Sequence, residues 1–130
     1  MRLLIDCDVM LDVGLKRQPH FVASAQLLDW AEQHPGQCGL AWHSVANIAY
    51  LAGRQATSFI EAFSSFLEIA ETNSQSLDFA LQLPMNDFED AMQVAAAHAF
   101  GAQVIVTRNL KHYKKSPIRA LAPLDVLKLL

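Results

Sequence analysis

Three aspartates, Asp6, Asp8 and Asp12, follow directly on the apolar run Leu3-Leu4-Ile5, and two more, Asp87 and Asp90, stand three residues apart late in the chain. Carboxylates gathered without basic neighbours repel one another, and a bound divalent cation is the commonest way to relieve that repulsion. Residues three apart share a face of a helix, so Asp87 and Asp90 could hold one hydrated cation jointly. Mg2+ suits such a place because it is hard, prefers oxygen and keeps several waters when held by few carboxylates. Water held by such a cation loses a proton more readily, and the cation neutralises charge building on a phosphoryl oxygen. Clustered acids therefore fit phosphodiester hydrolysis. Helix capping serves Asp87 equally well, since aspartate satisfies free N–H groups at a helix start. For Asp90 the partner available in Asp6 favours the site. Asp12 reads as a solvated helix residue, and Asp8 is ambiguous.

No histidine-rich or cysteine-rich set competes. His20, His34, His43, His98 and His112 are scattered, and Cys7 and Cys38 have no metal-ligand spacing. In a small cytosolic protein such cysteines are more often reduced and buried than bridged. There is no P-loop, no glycine-rich dinucleotide fingerprint and no nucleophile elbow.

The elements that must position the acids follow from apolar patterning. Leu3-Leu4-Ile5 reads as a buried parallel strand, and the carboxyl ends of such strands are where open α/β sheets place their ligands. A short helix just beyond Asp8 is broken by Gly14. Pro19 then suits the first position of a second helix, whose apolar face is Phe21, Ala25, Leu28, Leu27 and Ala31 and which Pro35-Gly36 ends. Cys38 to Trp42 suits a second strand, with Ser44 as N-cap of a helix through Leu51 that carries Asn47. Phe59, Ile60, Phe63, Phe66 and Leu67 recur at helical spacing and read as core. Leu67 to Ala70 reads as a third strand and Leu77 to Leu83 as a short helix. A helix begins within Asn86 to Asp90, with Phe88, Ala91, Met92, Ala95 and Ala99 as its apolar face, and stops before Gly101. Val104-Ile105-Val106 is the clearest later strand, followed by Thr107-Arg108-Asn109. Ala120-Leu121 reads as an edge strand, and Pro123 starts a terminal helix.

Strands alternating with helices of these lengths predict an α/β domain with a mainly parallel sheet and right-handed crossovers. Parallel order would bring Asp6, Asn109 and the helix starting at Asp87 to one crevice. At 130 residues and 52% hydrophobic, the chain suits a single domain spanning 1–130. No apolar run approaches a membrane span, and the first one meets Asp6 too early for a secretory signal, so the expected location is the cytoplasm. The net charge of -3 hides an asymmetry: residues 1–100 carry -8 and residues 101–130 carry +5. Arg108, Lys111, Lys114, Lys115 and Arg119, interleaved with His112 and Tyr113, form either a solvated loop or a phosphate-binding rim.

The segments LLIDCDVMLDV, SVANIAYLAG, DFEDAMQVAAAHAFGAQVIVTRNLKHY and SPIRALAP together resemble the PIN-domain family, especially its VapC-like toxin branch. The resemblance implies a three-layer α/β/α sandwich around a mainly parallel sheet of four to five strands. It also implies Mg2+- or Mn2+-dependent cleavage of RNA, frequent homodimers and often a cognate antitoxin. By position, Asp6 and Asp90 match metal-binding aspartates, Asp87 an additional acid of one branch, and Thr107 and Asn109 a threonine and a fourth acid. Asn47 stands where many members have glutamate, Asn109 where many have aspartate, and Asp8 where Asn or Ser is usual. Amides bind a hard cation through oxygen but bring no charge, and Asp8 or Asp87 could compensate. The resulting expectation is a ribonuclease with Asp6, Asp87 and Asp90 on the metal, joined by Asp8 in its compensating role. Thr107 and Asn109 assist, and Asn47, Arg108, Lys111, Lys114 and Lys115 contact RNA. The competing readings are a PIN-like RNA- or protein-binding module that has lost catalysis through its amides, and a haloacid-dehalogenase-type phosphatase suggested by Asp6-Cys7-Asp8-Val9.

Overall fold

The structure is a computed structural model that describes all residues, Met1 to Leu130. Five parallel strands form one sheet in the order β3-β2-β1-β4-β5. They are β1 (Leu3–Ile5), β2 (Cys38–Leu40), β3 (Glu68–Ile69), β4 (Val104–Val106) and β5 (Arg119–Leu121). The helices are α1 (Cys7–Gly14), α2 (Phe21–Gln33), α3 (Trp42–Leu51), α4 (Ala56–Ser64), α5 (Ser74–Gln82), α6 (Phe88–Phe100) and α7 (Pro123–Leu127). None is long and apolar enough to cross a membrane.

Alternation along each strand sorts the core into two layers. Leu3 and Ile5, with Val104 and Val106, pack against residues of α1, α2, α3, α4 and α7. Leu4 and Ile105 face the other way, onto Val94, Ala97 and Phe100 of α6, with Phe79 of α5 at the margin. The result is the expected α/β/α sandwich. Gly39 in β2 is required by that packing, because a Cβ there would stand 2.8 Å from the Phe100 ring. Gly101, at φ 73°, caps α6 in the left-handed conformation that a side chain disfavours.

Several local expectations shift. Helix α2 starts at Phe21, two residues beyond Pro19. Ser44 is not an N-cap: α3 starts at Trp42 after Ala41, and Ser44 is buried, donating to Gln93 Oε1 at 3.4 Å. Of the aromatic stripe, Phe63 and Leu67 are buried, while Phe59, Ile60 and Phe66 pack at the edge of the core. Helix α6 buries Ala91, Val94, Ala95 and Phe100, and leaves Phe88, Met92 and Ala99 exposed. The run of alanines made several phases of this helix look equally apolar, and the large Val94 and Phe100 decide between them.

The chain builds β1, β2 and β3 towards one edge and then returns to add β4 and β5 on the other. The order therefore reverses between β1 and β4, the switch point at which open α/β sheets form a crevice.

Candidate metal and phosphodiester site

The pairing of Ile5 with Val106 sets the next residues of both strands, Asp6 and Thr107, side by side at the crevice. Thr107 is fully buried, and its hydroxyl donates to Asp6 Oδ2 at 2.8 Å. The same hydroxyl accepts the Asn109 N–H at 3.0 Å, so one side chain ties the turn after β4 to the end of β1. Asp6 Oδ1 caps α1 by accepting the Cys7 N–H at 2.8 Å, and Tyr113 Oη lies 3.5 Å from Oδ2. Burial holds the Asp6 carboxyl above the usual carboxylate range, although the Thr107 and Cys7 hydrogen bonds work against it. Burial likewise pushes the Cys7 thiol up to about 12, which makes it inert at neutral pH.

Asp8, in the first turn of α1, faces the same turn. Its Oδ2 accepts the Arg108 N–H at 3.2 Å and Asn109 Nδ2 at 3.1 Å, whereas its Oδ1 is buried with no partner. Burial, with the neighbouring Asp6 charge, pushes the Asp8 carboxyl up to about 6. Asp12 is not the solvated residue expected from the sequence. It is 0% exposed and lies between two arginines, with Oδ1 3.1 Å from Arg17 Nε and Oδ2 2.6 Å from Arg108 Nε. The Arg108 guanidinium is thereby committed to Asp12, with a second contact from Nη2 to Oδ1 at 3.1 Å.

Helix α6 brings the remaining acids. Asp87 is its N-cap, accepting the Asp90 N–H on Oδ1 at 3.1 Å. Asp90 Oδ2 lies 3.2 Å from His112 Nδ1, and burial followed by the Asp87 charge raises its carboxyl pKa. Asn47 on α3 donates from Nδ2 to Glu89 Oε1 at 3.3 Å.

These groups line one open cleft of about 470 Å³, which holds Asp6, Asp8, Asn47, Asp87, Asp90 and Asn109 together with Glu89, Arg17, Arg108 and His112. Thr107 stands behind Asp6 rather than on the cleft wall. Lys111, Lys114 and Lys115 line an adjoining groove of about 320 Å³ that shares Asp87, Asp90 and His112 with the cleft. Sequence reasoning missed Glu89, His112 and Tyr113. Helical phase turns Glu89 well away from the shared face of Asp87 and Asp90, and only its cross-helix partner Asn47 marks it. His112 and Tyr113 were named only as members of the basic run, with no role beside the acids.

The chemistry of these groups fits a hard divalent cation. No three Asp, Glu, His or Cys side chains converge on one point as the ligands of a fully enclosed ion would. Mg2+ bound through one or two carboxylates and several waters does not need such a cage. The donors are oxygen-rich, Asp8 Oδ1 is a buried acceptor without a donor, and Asp6, Asp8 and Asp90 all have raised pKa values. Their negative charge is thus incompletely compensated by the protein itself. Asp6, Asp8 and Asp90 are the residues that would hold the ion.

The family model described as PIN domain matches residues 2–111. No curated protein matches the sequence. Among solved structures, VapBC2 from Rickettsia felis bound to a promoter DNA fragment superimposes with a TM-score of 0.73 at 18% identity, covering 94% of this chain and 98% of that one. DNA-bound VapBC from Salmonella typhimurium gives 0.69 at 18% identity, over 95% and 98%. VapC20 from Mycobacterium tuberculosis, a sarcin-ricin loop cleaving toxin, gives 0.60 at 14% identity, over 90% and 98%. At these identities the likeness is one of fold.

Proposed function

The chain belongs to the PIN-domain family, and from that premise we propose that it is a Mg2+- or Mn2+-dependent endoribonuclease, the toxin of a toxin–antitoxin pair. The observation that carries this reading is the meeting of Asp6, Asp8, Asp87 and Asp90 in one cleft at the β1/β4 switch point, beside a lysine-lined groove. When bound, a divalent cation supplies acidified water and positive charge beside the phosphoryl oxygen.

The chain's own residues do the rest. Thr107 and Tyr113 donate to Asp6 and hold it in a fixed orientation. Asn109 and the Arg108 N–H fix Asp8 in the same way. Asp87 orders the first turn of α6 and so sets where Asp90 stands. Lys111, Lys114 and Lys115 grip the RNA backbone by charge. Arg108 anchors the turn through Asp12 instead of reaching for phosphate. The phosphatase reading falls with the family assignment.

A cognate antitoxin and a second copy of the chain are the expected partners, in the cytoplasm. The solved neighbours that are VapBC complexes support the first. An apolar groove lined by Trp42, Leu77 and Met92, all exposed, supports a protein partner.

The test is incubation of the purified protein with single-stranded and structured RNAs plus Mg2+ or Mn2+, repeated with EDTA and with Asp90→Asn. Fragments that require the ion and Asp90 support the nuclease. Binding without fragments would favour the non-catalytic module, the reading suggested by the amides at 47 and 109.

A further inference from the structure

The cleft contains two side-chain amides, Asn47 and Asn109, and each has its NH2 on a carboxylate from another element. Asn109 Nδ2 reaches Asp8 Oδ2 at 3.1 Å, and Asn47 Nδ2 reaches Glu89 Oε1 at 3.3 Å. Because an ionised carboxylate only accepts hydrogen bonds, it dictates which end of each amide faces it. Each amide therefore draws a negative charge to its own place in the cleft. For Asp8 this adds to a position already fixed by the Arg108 N–H. For Glu89 the Asn47 amide is the side chain's only hydrogen-bond partner.

Glu89 is otherwise an exposed residue in the first turn of α6, where acids are common for helix-dipole reasons alone. A dipole effect needs no partner on α3. Glu89 also lines the same cleft as Asp6, Asp8 and Asp90.

We infer that Glu89 is a further carboxylate of the divalent-cation site and that Asn47 is the residue that positions it. This rests on the reading of the chain as a cation-dependent PIN nuclease. Charge absent from position 47 is carried by α6 and held across the cleft by the amide. Since Mg2+ keeps most of its waters, carboxylates spread around a cleft contribute without closing on one point.

The experiment is calorimetric titration of the full chain with Mn2+, without RNA, so that binding is read apart from activity. The parent is compared with Glu89→Gln, Asn47→Ala and the double variant Glu89→Gln/Asn47→Asp. Glu89 is exposed, so Glu89→Gln folds, as circular dichroism will check. Glu89→Gln is expected to weaken Mn2+ binding about tenfold or more. Asn47→Ala weakens it less, and the double variant, which moves the charge to position 47, recovers most of the loss. Parent-like binding by Glu89→Gln would overturn the assignment while leaving the cation site standing. No Mn2+ binding by the parent would overturn both.

Discussion

Asp12 Oδ2 lies 2.6 Å from Arg108 Nε, and this buried carboxylate joins α1 to the turn after β4. Arg108 lines the cleft and its backbone N–H holds Asp8, which in turn accepts from Asn109, so the position of two further cleft residues depends on a carboxylate buried behind the cleft wall. Removing one partner of a buried pair strands the other, at a typical cost of about 3–5 kcal/mol. Arg17 remains 3.1 Å from Asp12, so Arg108→Met is expected to cost less, about 2–3 kcal/mol, in urea denaturation. A change below about 0.5 kcal/mol, the scale of an ordinary surface substitution, would contradict the anchoring role.

Thr107 carries two hydrogen bonds on one oxygen, to Asp6 Oδ2 and from the Asn109 N–H. Thr107→Val keeps the shape and removes both. It is expected to cost about 1–3 kcal/mol of stability, the penalty for leaving buried polar groups unpaired. RNA cleavage should fall with it, because Asp6 is released from its fixed orientation. Thermal denaturation and single-turnover cleavage of the same preparation check the two effects together, and unchanged cleavage would remove Thr107 from the site.

The Asp8 carboxyl, displaced from 3.8 to about 6, gives the cation-free protein a pH signature. An acid whose pKa is raised by folding binds more protons folded than unfolded between those values. Stability is therefore lost as pH rises through about 4 to 6, by roughly 1.4 kcal/mol per unit of displacement. Asp8→Asn removes that loss. The melting temperature of the variant relative to the parent is expected to rise across this window in EDTA and to level off above it. A variant that melts below its parent at pH 7.5 would contradict the uncompensated charge assigned to Asp8.

Lys111, Lys114 and Lys115 line the groove that adjoins the cleft, and in the proposed nuclease they hold the RNA backbone by charge. Replacing all three by glutamine should weaken RNA binding across sequences and flatten its dependence on salt by about two units of slope, or about 0.7 per phosphate contact on single strands. Fluorescence anisotropy over a salt series measures the slope directly. An unchanged slope would move the RNA to another face.

The strands and the meeting of Asp6 with Asp90 were legible because they rest on strong local signals. Leu3-Leu4-Ile5 and Val104-Ile105-Val106 are apolar runs that only a buried strand accommodates, and parallel order brings their ends together. Asp12 was misread for a definite reason. On α1 alone it is a polar residue in an apolar helix, and only Arg17 and Arg108, far apart in sequence, make its burial tolerable. Glu89 was invisible for a related reason, since its partner Asn47 lies 42 residues away on another helix. The phase of α6 failed because alanine offers no volume by which to choose a face. Local patterning thus located the charged cluster, whereas the wiring among its members depends on tertiary partners.

In the proposed function this cleft cleaves RNA with a divalent cation held by Asp6. The most direct test is the single-turnover cleavage rate of one RNA as a function of Mn2+ concentration, for the parent and for Asp6→Asn. The rate is expected to rise to saturation with Mn2+, vanish in EDTA and fall about 10²-fold or more in Asp6→Asn, in keeping with several kcal/mol of transition-state charge stabilisation. Cleavage that persists in EDTA and is equal in Asp6→Asn would contradict it.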